Sequence, residues 1–324
     1  MTRGRAVALF AGTGNPALAD AVARELGVPL GRCAVERFPD GEVSARLDES
    51  VREREVFLLQ PTSPPVNDHL VELLALADAC RRAAAARVVA IVPYLGYARG
   101  DKREGRRVPV MASLVAGMIE SAGIDHVVSI DVHTPQVEGF FHIPVDALSA
   151  VPALAIAIGE RLPHEAVIVS PDLGGVRRAT EYARLLGRTT ASCDKRRLGG
   201  SRVAVGRVTG EVRGRPCVIV DDMIATGGTI VECARALRDA GAATPFTVVA
   251  THGILVPEAR ARLAAAGIRE LVLTDTIPCG ADEREPPTRR ISVALLLAGA
   301  VRCIAAGESL YGLAPARRSG GDAP

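Results

Sequence analysis

The chain has 324 residues, enough for about two domains of roughly 150 residues each. Hydrophobic residues make up 48% and charged residues 23%, and 39 basic side chains against 37 acidic ones leave a formal charge of +2. That balance excludes a disordered chain and argues against a dedicated nucleic-acid binder, which carries a basic excess, while leaving room for a local anion site. All the basic residues except Lys102 and Lys195 are arginine, which singles out both lysines. The seven cysteines form no CxxC pair and no Cys/His cluster, so neither a disulfide framework nor a zinc site is expected, and a reducing cytoplasm fits best. The longest apolar runs, Ala147 to Ile158 and Ile291 to Val301, fall well short of the ~20 residues of a bilayer-spanning helix, so no membrane partner is expected.

Arg3, Arg5 and the apolar stretch Ala6 to Ala11 imitate a signal peptide, but Gly12, Gly14, Asn15 and Pro16 break the stretch. A first strand, a turn and a helix is the better reading. Short β-branched runs then recur at Val56 to Gln60, Val88 to Pro93 and Val127 to Asp131, each followed by a turn signal and an Ala/Leu-rich helical stretch. The second half repeats the plan, with runs at Val167 to Ser170, Cys217 to Asp222, Phe246 to Thr251 and Leu271 to Thr274, and helical spacers such as Thr229 to Ala240 and Pro257 to Ala266. Strands that are apolar nearly throughout, alternating with helices, predict parallel sheets covered on both faces. The expectation is an α/β protein of two similar domains, 1–149 and 150–314, joined near Asp146 to Pro152, with a Pro/Gly/Arg-rich tail at 315–324 expected to be disordered.

Ligands of open parallel sheets bind beyond the carboxyl ends of the strands, so the residues directly after each run matter most. After Val218-Ile219-Val220 come Asp221, Asp222, the small-residue turn Ala225-Thr226-Gly227-Gly228, and Thr229 opening a helix. Glycines let backbone N–H groups approach an anion, and the helix N-terminus adds partial positive charge. Adjacent carboxylates repel a phosphate and suit the hydroxyls of a sugar, which donate hydrogen bonds. Farther upstream, Arg99, Gly100, Asp101, Lys102 and Arg103 make a basic strand-end loop able to chelate polyphosphate, or simply a solvated charged loop. Asp131-Val132-His133-Thr134 ends another strand, where His133 is equally open to a structural role and to a metal or phosphate contact. Lys195 to Ser201 is basic, then Gly-rich, between two strand-like runs, which suits a lid.

The Asp221 to Thr229 unit resembles the motif shared by phosphoribosyltransferases and ribose-phosphate pyrophosphokinases. Phe38 to Val43, Thr62 to Leu74, the Pro93 loop, Asp131 to Asp146, Ser170 to Gly175 and Asp194 to Arg197 resemble the pyrophosphokinases alone, over nearly the whole chain up to about Ser309. The resemblance implies two phosphoribosyltransferase-like domains and pyrophosphoryl transfer from ATP to the C1 hydroxyl of ribose 5-phosphate, with Mg²⁺ as cofactor and a dimer-based homo-oligomer, a hexamer by family habit. It also implies the roles. Phe38, Asp40 and Glu42 form an adenine loop lent to a neighbouring subunit; Arg99, Gly100, Asp101 and Lys102 hold ATP; His133 and Asp172 hold the metal. Asp172, Asp221, Asp222, Ala225, Thr226, Gly227, Gly228 and Thr229 take ribose 5-phosphate, and Lys195 and Arg197 are the catalytic pair. The chain departs from the family pattern at Gly100, where Gln is usual, at Ala225, where an acidic residue is usual, and at Glu138 and Leu310-Tyr311 in the region of the regulatory phosphate/ADP site, which Ser50 and Arg52 match. Two alternatives are a phosphoribosyltransferase, which shares only the Asp221 motif, and a non-catalytic synthetase-associated subunit, which is expected to lose the catalytic basic residues or the ribose carboxylates.

Overall fold

The structure, a computed structural model, describes residues 7–103, 105–197, 203–278, 285–311 and 313, with side chains at all of these except 195–197 and 203–206. The expected tail at 315–324 and the Gly-rich stretch 198–202 therefore lie outside the described residues.

The first half is built from β1 (Val7–Ala11), α1 (Pro16–Leu26), β2 (Cys33–Arg37), β3 (Val43–Leu47), β4 (Glu55–Leu59), α2 (Val66–Arg82), β5 (Arg87–Val92), α3 (Met111–Ser121), β6 (His126–Ile130) and β7 (Val145–Leu148). β1, β4, β5, β6 and β7 form one parallel sheet in that order, while β2 and β3 pair as a separate antiparallel hairpin. The start of α1 shows how local chemistry sets the turns. The Asn15 side chain accepts from Leu18 N, Pro16 takes the first helical position, and Gly27 closes the helix in a left-handed conformation.

The second half holds α4 (Val151–Gly159), β8 (Val167–Ser170), α5 (Val176–Leu186), β9 (Thr189–Arg197), β10 (Val203–Thr209), β11 (Pro216–Ile224), α6 (Gly228–Asp239), β12 (Ala243–Gly253), α7 (Ala259–Ala265), β13 (Ile268–Thr274), β14 (Thr288–Ile291) and α8 (Ala294–Ala306). Its sheet runs β10-β9-β8-β11-β12-β13-β14, parallel except for the antiparallel β9–β10 pair. The winding reverses between β8 and β11, which makes their carboxyl ends the natural crevice for a ligand. The two apolar runs noted in the sequence are each divided, one between β7 and α4 and the other between β14 and α8. Among the described residues no helix is long and apolar enough to cross a membrane.

Strand alternation distributes the core. Val56 and Leu58 of β4 pack outward with α2 and α3, whereas Phe57 and Leu59 enter a cluster that also takes Val218 and Val220 of β11, Val249 of β12 and helices α1, α4, α5 and α8. A third cluster lies under α6 and α7. The inner faces of both sheets thus close on one shared hydrophobic layer, which ties the halves together. Polar contacts fix their register at the strand ends: Thr251 Oγ1 donates to Asp131 Oδ2 at 2.6 Å, His252 Nε2 donates to the Ile130 carbonyl at 3.1 Å, and Asn15 Nδ2 donates to the Asp275 carbonyl at 2.7 Å. These bonds bring the end of β6 against the end of β12, next to β11, where the motifs meet.

Candidate active site

One pocket is assembled at the reversal of the second sheet. After β8, Ser170 Oγ donates to the Asp172 carbonyl at 2.6 Å and Asp172 Oδ1 accepts from Gly175 N at 3.1 Å, a tight turn that launches α5. β11 continues two residues beyond the expected run, so Asp221 and Asp222 lie within the strand, with Asp221 opposite Ala250 of β12. Ala225, Thr226 and Gly227 then turn into α6. Gly227 adopts φ 75°, a conformation that disfavours any side chain, and it caps α6, whose first residues line the crevice. The resulting pocket, about 180 Å³, is lined by Arg99, His133, Asp172, the acid pair and residues 223–230. It brings together every residue expected on the ribose 5-phosphate side.

Its electrostatics are asymmetric. Asp222 is 4% exposed and accepts from His133 Nδ1 at 2.6 Å. Arg178, on the first turn of α5, places Nη1 3.7 Å from Asp221 Oδ1 and 3.7 Å from Asp222 Oδ1. Burial works against the Asp222 charge, yet the His133 hydrogen bond and the Arg178 guanidinium hold its carboxyl well below the usual carboxylate range. Asp221 moves the opposite way: burial, followed by the neighbouring Asp222 charge, pushes its carboxyl well above that range. The same hydrogen bond to Asp222 raises His133 above an ordinary histidine, against the effect of burial.

Beside this pocket lies a larger cleft of about 770 Å³, lined by Pro65, Asn67, Asp68, Tyr94, Tyr97, Arg99, Gly100, Met111 and His133 among others. Arg99 and His133 line both spaces, so the cleft and the smaller pocket meet at those two side chains. The Pro93 loop is held by Thr62, whose hydroxyl accepts from Gly96 N at 2.6 Å and donates to the Tyr94 carbonyl at 3.2 Å, and by Tyr97 OH donating to Asn67 Oδ1. Tyr97 takes φ 65°, a costly conformation at the mouth of the cleft. Asp101 accepts from Thr134 Oγ1 at 2.7 Å, which braces the basic loop against the His133 loop. At Gly100 an added Cβ would lie 2.9 Å from Met111 Cβ, so the missing side chain lets the start of α3 approach the loop. Lys102 is exposed beside it.

Other expected residues are not brought to this site. Phe38, Asp40 and Glu42 occupy the exposed tip of the β2–β3 hairpin, where Phe38 N donates to the Glu42 carbonyl at 2.8 Å and Glu42 N donates to Asp40 Oδ1 at 3.1 Å. They line neither space of their own chain. The hairpin is anchored by Arg37, which pairs with the cleft residue Asp68 at 2.6 Å. Lys195 and Arg197 stand at the end of β9, opposite Val205 and Val203 of β10; their side chains lie outside those described.

Among the described residues no three His, Cys, Asp or Glu side chains converge as a metal cage. Asp172 and the acid pair line the pocket wall with carboxylate oxygens, the donor class that Mg²⁺ takes, and His133 beside them commits Nδ1 to Asp222. Sequence reasoning missed Arg178 and Met111, and it gave no individual role to Thr134, Asn67, Tyr94 and Tyr97, which lie within segments it singled out. Arg178 did carry a signal, since it lies four residues before the buried Tyr182 of α5 and so on the inward stripe of that helix.

A family described as the N-terminal domain of ribose phosphate pyrophosphokinase matches residues 7–123, and one described as the phosphoribosyl synthetase-associated domain matches residues 203–314. Ribose-phosphate pyrophosphokinase of Staphylococcus saprophyticus is 44% identical over 299 residues, 91% of this chain and 93% of that protein. The Burkholderia pseudomallei protein of the same name is 44% identical over 307 residues, 94% and 96% of the two chains. Among solved structures, phosphoribosylpyrophosphate synthetase from Mycobacterium smegmatis superposes with a TM-score of 0.87 at 41% identity, covering 94% of this chain and all of that one. With the two connected spaces and the two-sheet fold in place, this likeness over almost the full length makes the chain a member of the ribose-phosphate pyrophosphokinase family.

Proposed function

We propose that this protein carries out the reaction for which its family is named, with the two connected spaces as its substrate sites. Ribose 5-phosphate occupies the smaller pocket. Its phosphate lies on the 225–229 turn and the N-terminus of α6, and its hydroxyls donate to Asp221, Asp222 and Asp172. ATP occupies the larger cleft against Arg99, Gly100, Asp101 and Lys102. The C1 hydroxyl oxygen attacks the β-phosphorus, the bond from that phosphorus to the α–β bridging oxygen breaks, AMP departs with the bridging oxygen, and the hydroxyl proton is lost to solvent. Such a transfer needs in-line positioning and charge neutralisation rather than covalent help from the protein. Lys195 and Arg197, at the end of β9, neutralise the migrating group. Mg²⁺ would be held by Asp172 and His133, directly or through water, and would supply charge neutralisation on the phosphate oxygens.

The observation that carries the reading is the junction at Arg99 and His133: a hydroxyl-accepting acid pair with an anion turn lies on one side and a basic, aromatic-walled cleft on the other. Residues 1–149 then form the nucleotide domain and 150–314 the sugar domain. The exposed hairpin tip favours a homo-oligomer, a hexamer by family habit, in which Phe38, Asp40 and Glu42 serve the nucleotide cleft of a neighbouring chain and Phe38 stacks on adenine. The cytoplasm is the fitting compartment for such substrates and for six described cysteines that are all free. The test is AMP release on mixing with ATP, Mg²⁺ and ribose 5-phosphate. A transferase instead consumes phosphoribosyl pyrophosphate with a base, and a non-catalytic subunit releases nothing. Retention of Lys195, Arg197, Asp221 and Asp222 favours catalysis.

A further inference from the structure

The acid pair poses a problem of charge that its own strand does not solve. Two adjacent carboxylates, one of them 4% exposed, sit side by side on β11, and Asp221 Oδ1 accepts from the Asp222 backbone N–H at 2.9 Å, which fixes the two groups close together. Like charges this close repel and push the two carboxylates apart unless a cation stands between them. His133 answers only Asp222. One group faces both. Arg178 reaches in from the first turn of α5 with its side chain only 18% exposed and lies 3.7 Å from a carboxylate oxygen of each. It cannot be deprotonated, so its charge is permanent. It also belongs to the helix launched by the Asp172 turn, so one side chain couples the wall that carries Asp172 to the wall that carries the acid pair.

We propose that Arg178 is a positioning residue for ribose 5-phosphate: it balances the Asp221–Asp222 pair and holds that pair against the Asp172 turn, so that the carboxylates present acceptors to the sugar hydroxyls. This rests on the sugar pocket assigned above. The nucleotide cleft contains none of these contacts. Loss of Arg178 falls on the sugar and spares ATP. The charge, more than the volume, carries the effect, so lysine preserves it and glutamine does not. Removing one of the two acidic charges also removes much of the need for Arg178.

The test uses the full-length protein with Mg²⁺ and reads ribose 5-phosphate binding by calorimetry alongside steady-state kinetics. Arg178→Gln is expected to raise the dissociation constant and KM for ribose 5-phosphate at least about tenfold while leaving KM for ATP within about threefold, and Arg178→Lys is expected to recover most of the loss. In a double-mutant cycle, Arg178→Gln on top of Asp221→Asn is expected to weaken sugar binding less than Arg178→Gln does alone. Equal losses for both substrates, a fall in kcat without a change in sugar binding, failure of lysine to rescue, or additive losses in the cycle would each overturn the proposal. If Arg178→Gln alone does not fold, the Asp221→Asn/Arg178→Gln pair compared with Asp221→Asn, together with Arg178→Lys, gives the same decision. Wild-type protein that neither binds ribose 5-phosphate nor releases AMP refutes the pocket assignment itself, an outcome separate from any result on the variants.

Discussion

The two carboxylates of the sugar pocket are adjacent in sequence and opposite in energetics, and replacing each by asparagine separates them. Asp222 is ionised more easily in the folded chain than in the unfolded one, because the His133 hydrogen bond at 2.6 Å and the Arg178 charge outweigh its burial. A carboxyl with a depressed folded pKa adds stability above its unfolded value, and that contribution is lost as pH falls through the folded value. Asp222→Asn keeps the volume but exchanges a charge-assisted hydrogen bond for a neutral one, an interaction of the class worth about 1.5–3 kcal/mol. Asp221 has the opposite sign: burial and the Asp222 charge raise its carboxyl, so its ionised form costs stability at neutral pH. Asp222→Asn should therefore lower Tm by several degrees at pH 7.5, on a scale of about 2–4 °C per kcal/mol for domains of this size class, while Asp221→Asn should leave Tm unchanged or raise it. Both should weaken ribose 5-phosphate, Asp222→Asn by about 10- to 150-fold from the same 1.5–3 kcal/mol, with KM for ATP nearly constant. The assay is paired thermal unfolding and initial rates. Equal Tm losses for the two variants, or a larger loss for Asp221→Asn, would refute the asymmetry.

Lys195→Ala should lower kcat by about 10² to 10³ with little change in ATP binding, whereas Lys102→Ala should act mainly on KM for ATP; a kcat within a few-fold of wild type removes Lys195 from the chemistry. Gly100→Gln should raise KM for ATP rather than restore a family contact, because its Cβ meets Met111 Cβ at 2.9 Å; Met111→Gly should relieve part of the defect and Met111→Ala should not, and equal relief by both would place the clash elsewhere. Hydrogen bonding to Asp222 raises His133, so the charged pair is fully present below the unfolded value of about 6.5 and fades as pH climbs through the folded value. The Tm penalty of His133→Gln, measured without substrates, should accordingly be larger at pH 6 than at pH 9, and a penalty that grows with pH contradicts the pairing.

Much of the architecture is legible in the chain because the central strands are apolar on both faces. Val56 to Leu59 and Val218 to Val220 declare themselves as buried parallel strands without reference to their partners. The β2–β3 hairpin is silent by the same logic: Cys33–Arg37 and Val43–Leu47 stay half exposed and carry Glu36, Arg37, Arg46 and similar side chains, so no apolar run marks them. β14, with the sequence Thr288-Arg289-Arg290-Ile291, is hidden by its arginines, whose charges are taken by Glu270 and by backbone carbonyls. At the site, the glycine turn and the acid pair can be read because each needs a special residue type at a fixed spacing. Arg178 cannot be told from the other arginines by type, and the Thr134–Asp101 and Thr251–Asp131 bonds join residues 33 and 120 positions apart. Local pattern carries no information about such pairings. They arise only when the shared core closes the two sheets on each other.

The central claim is transfer of a pyrophosphoryl group by attack at the β-phosphorus of ATP. ATP carrying ¹⁸O in the α–β bridge, incubated with the protein, Mg²⁺ and ribose 5-phosphate and followed by ³¹P NMR, tests that step directly. The account predicts that the label leaves in AMP, that no ADP forms, and that a diphosphate ester at the sugar C1 accumulates in step with AMP. Label retained on pyrophosphate would mean attack at the α-phosphorus, ADP would mean attack at the γ-phosphorus, and either result would contradict the account.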